Sequence, residues 1–455
     1  MNWSSLPSLR ELKQTGRELR KRVPRRALAT LTDRPRDPLG ILDEQNRTRI
    51  QNLIGLRTER MSANAFAFYR GTAALMAADL ADDPHTGLLV AACGDAHVSN
   101  FGFYASRTRS LMFDLNDFDE SAWAPWEWDL KRLVASVVIG ARHSGRSDAV
   151  TQRATVGAVM SYRHVLEEAM ALSPTQRFFS HFDVQAGMGR LKGESKRVLG
   201  AAIKSAQKRT GERAVRRLTT KDADGRLRFV ERPPTMTRME SEAEQNVHTY
   251  VERWRDTAAQ DVQLLVQHYD VADVARRVVG VGSVGTRCSL VLLVDQDDHA
   301  LILQSKEANV SVLEQYGRIA QPQRLTAMIE ANGQGARVVA MQRVLQAVSD
   351  PFLGYLRGAE ADLYVRQFND MKGGIEVDQL EDRPFVEYAQ ACAATLARAH
   401  SQSPRAAAII GYTGSGKVVA EAITAWSHAY ADLSAQDFQA FVAADPAGAG
   451  NPADG

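Results

Sequence analysis

The chain has 455 residues, 44% apolar and 24% charged, with a formal net charge of +2. This composition fits an ordinary globular protein of two or three folding units and gives no global case for a nucleic-acid or membrane partner. Its three cysteines form no CxxC pair, no apolar stretch approaches the roughly 20 residues that span a bilayer, and the basic N-terminus lacks the apolar core of a secretory signal. The expectation is a cytoplasmic protein.

In chain order, residues 1–45 are polar, basic and broken by Pro24, Pro35 and Pro38, and read as an extension rather than a domain. Apolar residues at near-helical spacing follow, among them Phe68, Leu75, Met76 and Leu80. Strands are expected at 87–92, 101–104 and 110–115. The stretch WEWDLKRLVASVVIGAR, from Trp126, reads as a helix buried on most faces. Helical patterns then continue to about 210, with a basic cluster from Lys192 to Arg217 that reads as a solvated face. Near 271 the pattern changes. RVVGVGSVGTRCSLVLLVDQDDHALILQSKEA is two β-rich runs joined by a turn-forming DQDDH. More helix is expected to about 347, a hairpin over 352–368, and two helices from Val386 and Val418. The last residues, 444–455, read as a disordered tail.

Two polar stretches stand out. CGDAHVSN, from Cys93, sets Asp95, His97 and Asn100 on a loop leaving a strand. FDLNDFDE, from Phe113, crowds Asp114, Asn116, Asp117 and Asp119 at a strand end. Carboxylates so close repel one another unless a cation intervenes, and a hard cation such as Mg2+, usually shared with a phosphate ligand, is the natural partner. A third signal is Gly280, Gly282 and Gly285, a G-x-G-x-x-G. In a dinucleotide fold these glycines open a helix; here an apolar, β-branched strand follows, as in a phosphate-covering hairpin. The next strand closes on Lys306. GYTGSGKV, from Gly411, nearly matches a nucleotide-binding P-loop, but Val418 stands where a metal-touching Ser or Thr belongs, so it reads as a linker between helices.

CGDAHVSN resembles the catalytic loop of aminoglycoside and choline phosphotransferases, commonly His-Gly-Asp-x-His-x-x-Asn. Gly94, Asp95, His97 and Asn100 fall in register, and Cys93 replaces the first His. FDLNDFD resembles the metal-binding strand that follows it, and WEWDLKRL the next helix, whose early Asp, here Asp129, buttresses the loop. The resemblance implies a kinase-like enzyme using ATP and Mg2+. Asp95 would orient or deprotonate an acceptor hydroxyl, with His97 in a hydrogen-bonding role. Asn100 and either Asp114 or Asp117 would hold the metal. Gly280, Gly282 and Gly285 would cover the phosphates and Lys306 would bind them, with Glu330 or Glu314 as its helix-borne partner. LYVRQFNDMKG would hold adenine. These parts stand in rotated order, catalytic loop first and phosphate hairpin second. Together with FAFYRG, PWEWDLKRL and YVRQFNDMKG, that order resembles the bacterial family called domain of unknown function 2252, over roughly residues 45–440.

The expected architecture is a permuted, protein-kinase-like two-lobe α+β fold: extension 1–45, helical catalytic lobe 46–270, β-rich nucleotide lobe 271–375, returning helices 376–443 and tail 444–455. The expected activity is phosphoryl transfer to a small-molecule hydroxyl. Transfer of AMP, a nucleotide-binding pseudokinase and a metal-dependent hydrolase are the alternatives. The acceptor and the oligomeric state are not legible.

Overall fold

The apolar runs after Arg287 and His299 pair with each other and anchor a six-stranded antiparallel sheet in the computed structural model of the chain. The structure describes residues 6–182, 184, 192–239, 241–368 and 371–444, so the expected tail lies outside it apart from Ala444. The strands are β1 (Leu89–Ala92), β2 (Phe101–Ala105), β3 (Leu111–Leu115), β4 (Ala122–Pro125), β5 (Thr219–Lys221) and β6 (Leu227–Phe229). They continue with β7 (Met236–Arg238), β8 (Asp270–Arg277), β9 (Cys288–Val294), β10 (Ala300–Glu307), β11 (Gly354–Arg357) and β12 (Asp362–Gln367). The large sheet runs β11-β12-β10-β9-β8-β7; β1 pairs with β4, β2 with β3 and β5 with β6. The fold is mixed α+β.

Both faces of the large sheet are covered. Val291 and Leu293 meet Trp254 and Val262 on one side, and Leu290 and Leu292 meet Ala214 and Leu218 on the other. A strand buried on two faces needs no polar alternation, which is why LVLLV, from Leu290, is continuously apolar. This also moves the expected boundary at 271. The helices Gly211–Leu218, Ser241–Thr257 and Gln260–Val266 belong to the layers around the sheet, where their apolar faces are buried, and β7 is the sheet's edge strand.

The second core is helical. Helix Trp126–His143 is buried from Trp126 to Ala141 and packs with helices Asp148–Ala171, Asp382–His400 and Lys417–Ala444. Among the described residues no helix is long and apolar enough to cross a membrane.

Residues 6–45 are not an extension. Helix Leu9–Arg22 lies on helix Ala407–Thr413 so closely that a Cβ on Gly16 would sit 1.9 Å from the Ala408 carbonyl oxygen. Leu28 and Leu42 are buried, and Arg36 bridges Asp79 and Asp437. Polar composition hid a segment that buries only a few leucines, Leu12, Leu28 and Leu42 among them, and adds to them a glycine contact and guanidinium bonds. Those bonds also account for GYTGSGKV. The carbonyls of Tyr412, Thr413 and Gly414 accept from Arg20, Arg25 and Arg163 at 2.9, 3.2 and 3.0 Å. A phosphate loop turns amide N–H groups to its ligand; this one turns carbonyls to arginines.

Between the cores, Phe103 and Gly373 exchange two backbone hydrogen bonds, at 2.7 and 3.0 Å, where the chain leaves the sheet for helix Asp382–His400. Just beyond that helix, Ser403 Oγ accepts from Ala91 N of β1 at 2.9 Å. The residues following β1 are thereby set at the junction of the two cores.

Candidate active site

Strand β1 delivers Cys93–Asn100 to this junction. Gly94 is required there: its φ is +82°, and a Cβ would meet the Glu120 carbonyl oxygen at 2.2 Å. Asp129, at the start of helix Trp126–His143, accepts from Cys93 N at 2.6 Å and Gly94 N at 2.9 Å, and lies 3.1 Å from His400 Nε2. Asp129→Ala leaves the buried Cys93 amide and the half-buried Gly94 amide without this partner, at about 1–3 kcal/mol for the first and less for the second. Urea denaturation reads that loss, and an unchanged midpoint would remove the buttress.

One turn further, Arg132 Nε bonds Asp95 Oδ1 at 2.9 Å while its Nη2 holds the Tyr69 carbonyl at 2.8 Å. Burial raises the Asp95 pKa above the free value of 3.8, and Arg132 opposes the rise without cancelling it. His97 Nε2 lies 3.7 Å from Asp95 Oδ2. Burial, with Arg70 and Arg132 nearby, holds that imidazole well below its usual range, so it is neutral. Asn100 Nδ2 donates to the Asp95 carbonyl at 2.8 Å, which leaves its Oδ1 for another partner. Cys93 is buried and its thiol pushed well up, so it is no nucleophile.

The acidic stretch separates into distinct roles. Asp114 faces the core. It accepts from Leu115 N at 2.9 Å and Ala347 N at 2.8 Å and lies 3.3 Å from Arg398 Nη2, so it is not a metal-facing group. Asp117, past the end of β3, opens onto the cleft. Its Oδ1 lies 3.4 Å from Lys306 Nζ, and Asp119 pairs with the same ammonium. Burial would raise the Asp117 pKa, but Lys306, Arg366 and Lys372 together hold it at about 2. Among the described residues, no three His, Cys, Asp or Glu side chains converge as a metal cage.

The expected helix carboxylate for Lys306 is corrected. Glu330 is exposed on helix Gln323–Asn332, and Glu314 does not reach the lysine. The acidic loop already supplies two counter-charges. Helix Gln334–Leu345 contributes instead a buried Arg337, whose Nη2 donates to the Asp119 and Asn309 carbonyls at 2.8 and 2.7 Å.

The glycine loop between β8 and β9 folds down onto the helical core. Arg60 Nη1 donates to the Gly280 carbonyl at 2.7 Å, Ile50 N to that of Gly285 at 2.8 Å, and Val281 packs among Leu42, Met61, Phe68 and Leu75. Beneath it lie two cavities. The first, about 390 Å³, is lined by Asp95, His97, Asn100, Arg70, Glu120 and Gly282. The second, about 410 Å³, is lined by Lys306, Gln304, Arg366, Gln367, Phe368 and Lys372. Asp117, Gly280 and Ser283 line both. Gly285 lines neither and packs on Arg49 instead. Asn369 and Asp370 of the expected adenine-binding segment lie outside the described residues.

Glu120, Arg132 and Arg337 were not singled out for roles from sequence, and Asp119 was named only as one of the acidic cluster expected to draw a cation, not as a partner of Lys306. Arg132 had a signal, three positions after Asp129 on the same helix face; Arg337 had none. Burial pushes the Glu120 carboxyl from 4.5 up to about 7. Between those values the unfolded chain releases a proton that the folded chain keeps, so this group erodes stability as pH rises from 4.5 through 7. Glu120→Gln should therefore exceed the parent in urea midpoint at about pH 8 and equal it near about pH 4. Parallel midpoints at both pH values would contradict the shift.

A family model described as "Uncharacterized protein conserved in bacteria (DUF2252)" matches residues 49–444. No curated protein and no solved structure matches the chain.

Proposed function

The chain belongs to the DUF2252 family, and from that premise and the cleft we propose an ATP- and Mg2+-dependent phosphotransferase acting on a small-molecule hydroxyl. The observation that carries this reading is the meeting of Lys306 with Asp117, 189 positions apart, under a glycine loop and beside Asp95. Phosphoryl transfer asks little covalent chemistry of the protein; it asks for a phosphate cover, a cation, a metal-holding pair and a group to orient the nucleophile.

In this reading the nucleotide base occupies the second cavity against Phe368, and its phosphates pass Lys306 and the Gly280–Gly285 loop. The acceptor occupies the first. Asp95, fixed by Arg132, orients the hydroxyl and takes its proton as the oxygen attacks. Neutral His97 packs beside it without adding a charge. Asn100 Oδ1 and the Asp117 carboxylate fit Mg2+, which binds through few protein oxygens and completes its shell with water and phosphate. When bound, Mg2+ supplies positive charge against the phosphate oxygens.

A two-lobe, kinase-like architecture in permuted order accompanies this proposal. The glycine hairpin is β8–β9 and the lysine is on β10, the third strand counted from it, as in kinases. The end of helix Asp382–His400 lies against β1, so a chain running sheet, crossing, helix and catalytic loop needs only a short join there. The chain follows that path from a different starting point.

Product analysis tests the activity. With Mg-ATP and an alcohol library, ADP and a phosphorylated alcohol are expected. Pyrophosphate with an adenylated product would indicate AMP transfer instead, and turnover without nucleotide a hydrolase.

A further inference from the structure

The wall of the first cavity is unevenly satisfied. Its carboxylates are engaged: Asp95 with Arg132, Asp117 and Asp119 with Lys306, Glu307 with Arg287, Glu120 with the Val312 amide, and Glu44 with the Tyr316 hydroxyl. Its cations are not. The side chain of Arg70, the last residue of helix Ala65–Arg70, makes no hydrogen bond or ion pair among the described residues; Asp95, Glu376 and Asp117 act on it only through space, and its Nε is buried without a partner. Arg49 gives Nη1 to the Val284 carbonyl, but its Nε is likewise buried and unpartnered. His97 adds a third such nitrogen, Nδ1. Two half-buried guanidiniums in the cavity that holds Asp95, each with a buried Nε lacking a partner, are better satisfied when an anion arrives.

We infer that the first cavity is built for an anionic acceptor: an alcohol that also carries an oxyanion group, phosphate or carboxylate, which Arg70 binds with help from Arg49. The inference rests on the phosphotransferase reading and adds the chemical class of its acceptor. Arg70 is a specificity residue here. It holds the acceptor's anion while Asp95 meets the hydroxyl, since no carboxylate of the described residues bonds its guanidinium directly.

The test is a binding titration on the full chain loaded with Mg2+ and a non-hydrolysable ATP analogue, which fills the transferring-phosphate position. Inorganic phosphate and acetate are titrated separately at fixed ionic strength and distinguish a phosphate-bearing from a carboxylate-bearing acceptor. At least one is expected to bind with a Kd below about 1 mM. Arg70→Gln should weaken it roughly tenfold or more, as expected for a lost charge-assisted hydrogen bond, and Arg70→Lys should retain part of the affinity. Analogue binding by each variant reports that it is folded. The inference is overturned if neither anion binds the loaded parent, or if Arg70→Gln binds as tightly as the parent. If the analogue itself does not bind, the phosphotransferase reading falls and this inference with it.

Discussion

Asp95→Asn lowers ATP-dependent turnover by about 10²–10⁴-fold and leaves the affinity for Mg-ATP within a few-fold of the parent, the range expected for losing a positioned general base. The substitution keeps the side-chain shape and an oxygen for Arg132 Nε, so the loop retains its main tether. Cys93 N and Gly94 N still rest on Asp129. On the proposed mechanism, what goes is the carboxylate that takes the hydroxyl proton. Because burial raises the Asp95 pKa above 3.8, the parent's rate should fall on acidification at a higher pH than a free aspartate would give. The base must be ionised to act, so the rate is lost as pH falls through its folded pKa. Steady-state kinetics and a nucleotide titration check both halves; full activity in the variant would refute the role.

Lys306→Met acts on binding and stability together. The ammonium is buried between Asp117 and Asp119, and Tyr364 donates to Asp119 on the far side. Breaking a fully buried pair costs about 3–5 kcal/mol. Asp117 and Asp119 keep 38% and 24% of their side-chain surface in solvent, so water screens part of the orphaned charge. A loss nearer the lower end, about 3 kcal/mol or less, is therefore expected. Affinity for Mg-ATP should fall by roughly tenfold or more, since hydrogen bonds to charged groups contribute about 1.5–3 kcal/mol. Lys417→Met is the matched control. Lys417 opens a helix beside a loop whose carbonyls are bonded to arginines, and its replacement should leave nucleotide affinity unchanged. A reversed pattern would shift the nucleotide to GYTGSGKV.

Much of the sheet was legible because local signals agreed. β9 carries the apolar run Leu290–Val294 and β10 opens on Ala300–Leu303, with a turn between them, and the glycines before β9 are followed by strand rather than helix. The cleft was less legible wherever a partner is remote. Asp114 and Asp117 share one short stretch, and it is partners as remote as Ala347 and Arg398, 233 and 284 positions away, that show Asp114 faces the core. Glu330 was an expectation for a helix carboxylate; the counter-charge came from Asp119, 187 positions before Lys306. Residues 6–45 read as an extension because composition carries no trace of a backbone-to-backbone contact such as that of Gly16 with Ala408. The layer helices from Gly211 to Val266 were assigned to the wrong core, since an amphipathic face does not name the surface that covers it.

The central claim is that one nucleotide bridges the two cavities. A crystal structure with Mg2+ and a non-hydrolysable ATP analogue tests it most directly. The account predicts the base against Phe368, the phosphates between Lys306 and the Gly280–Gly285 loop, and the terminal phosphate towards Asp95. A nucleotide bound elsewhere, with Lys306 still closed on Asp117 and Asp119, would contradict it.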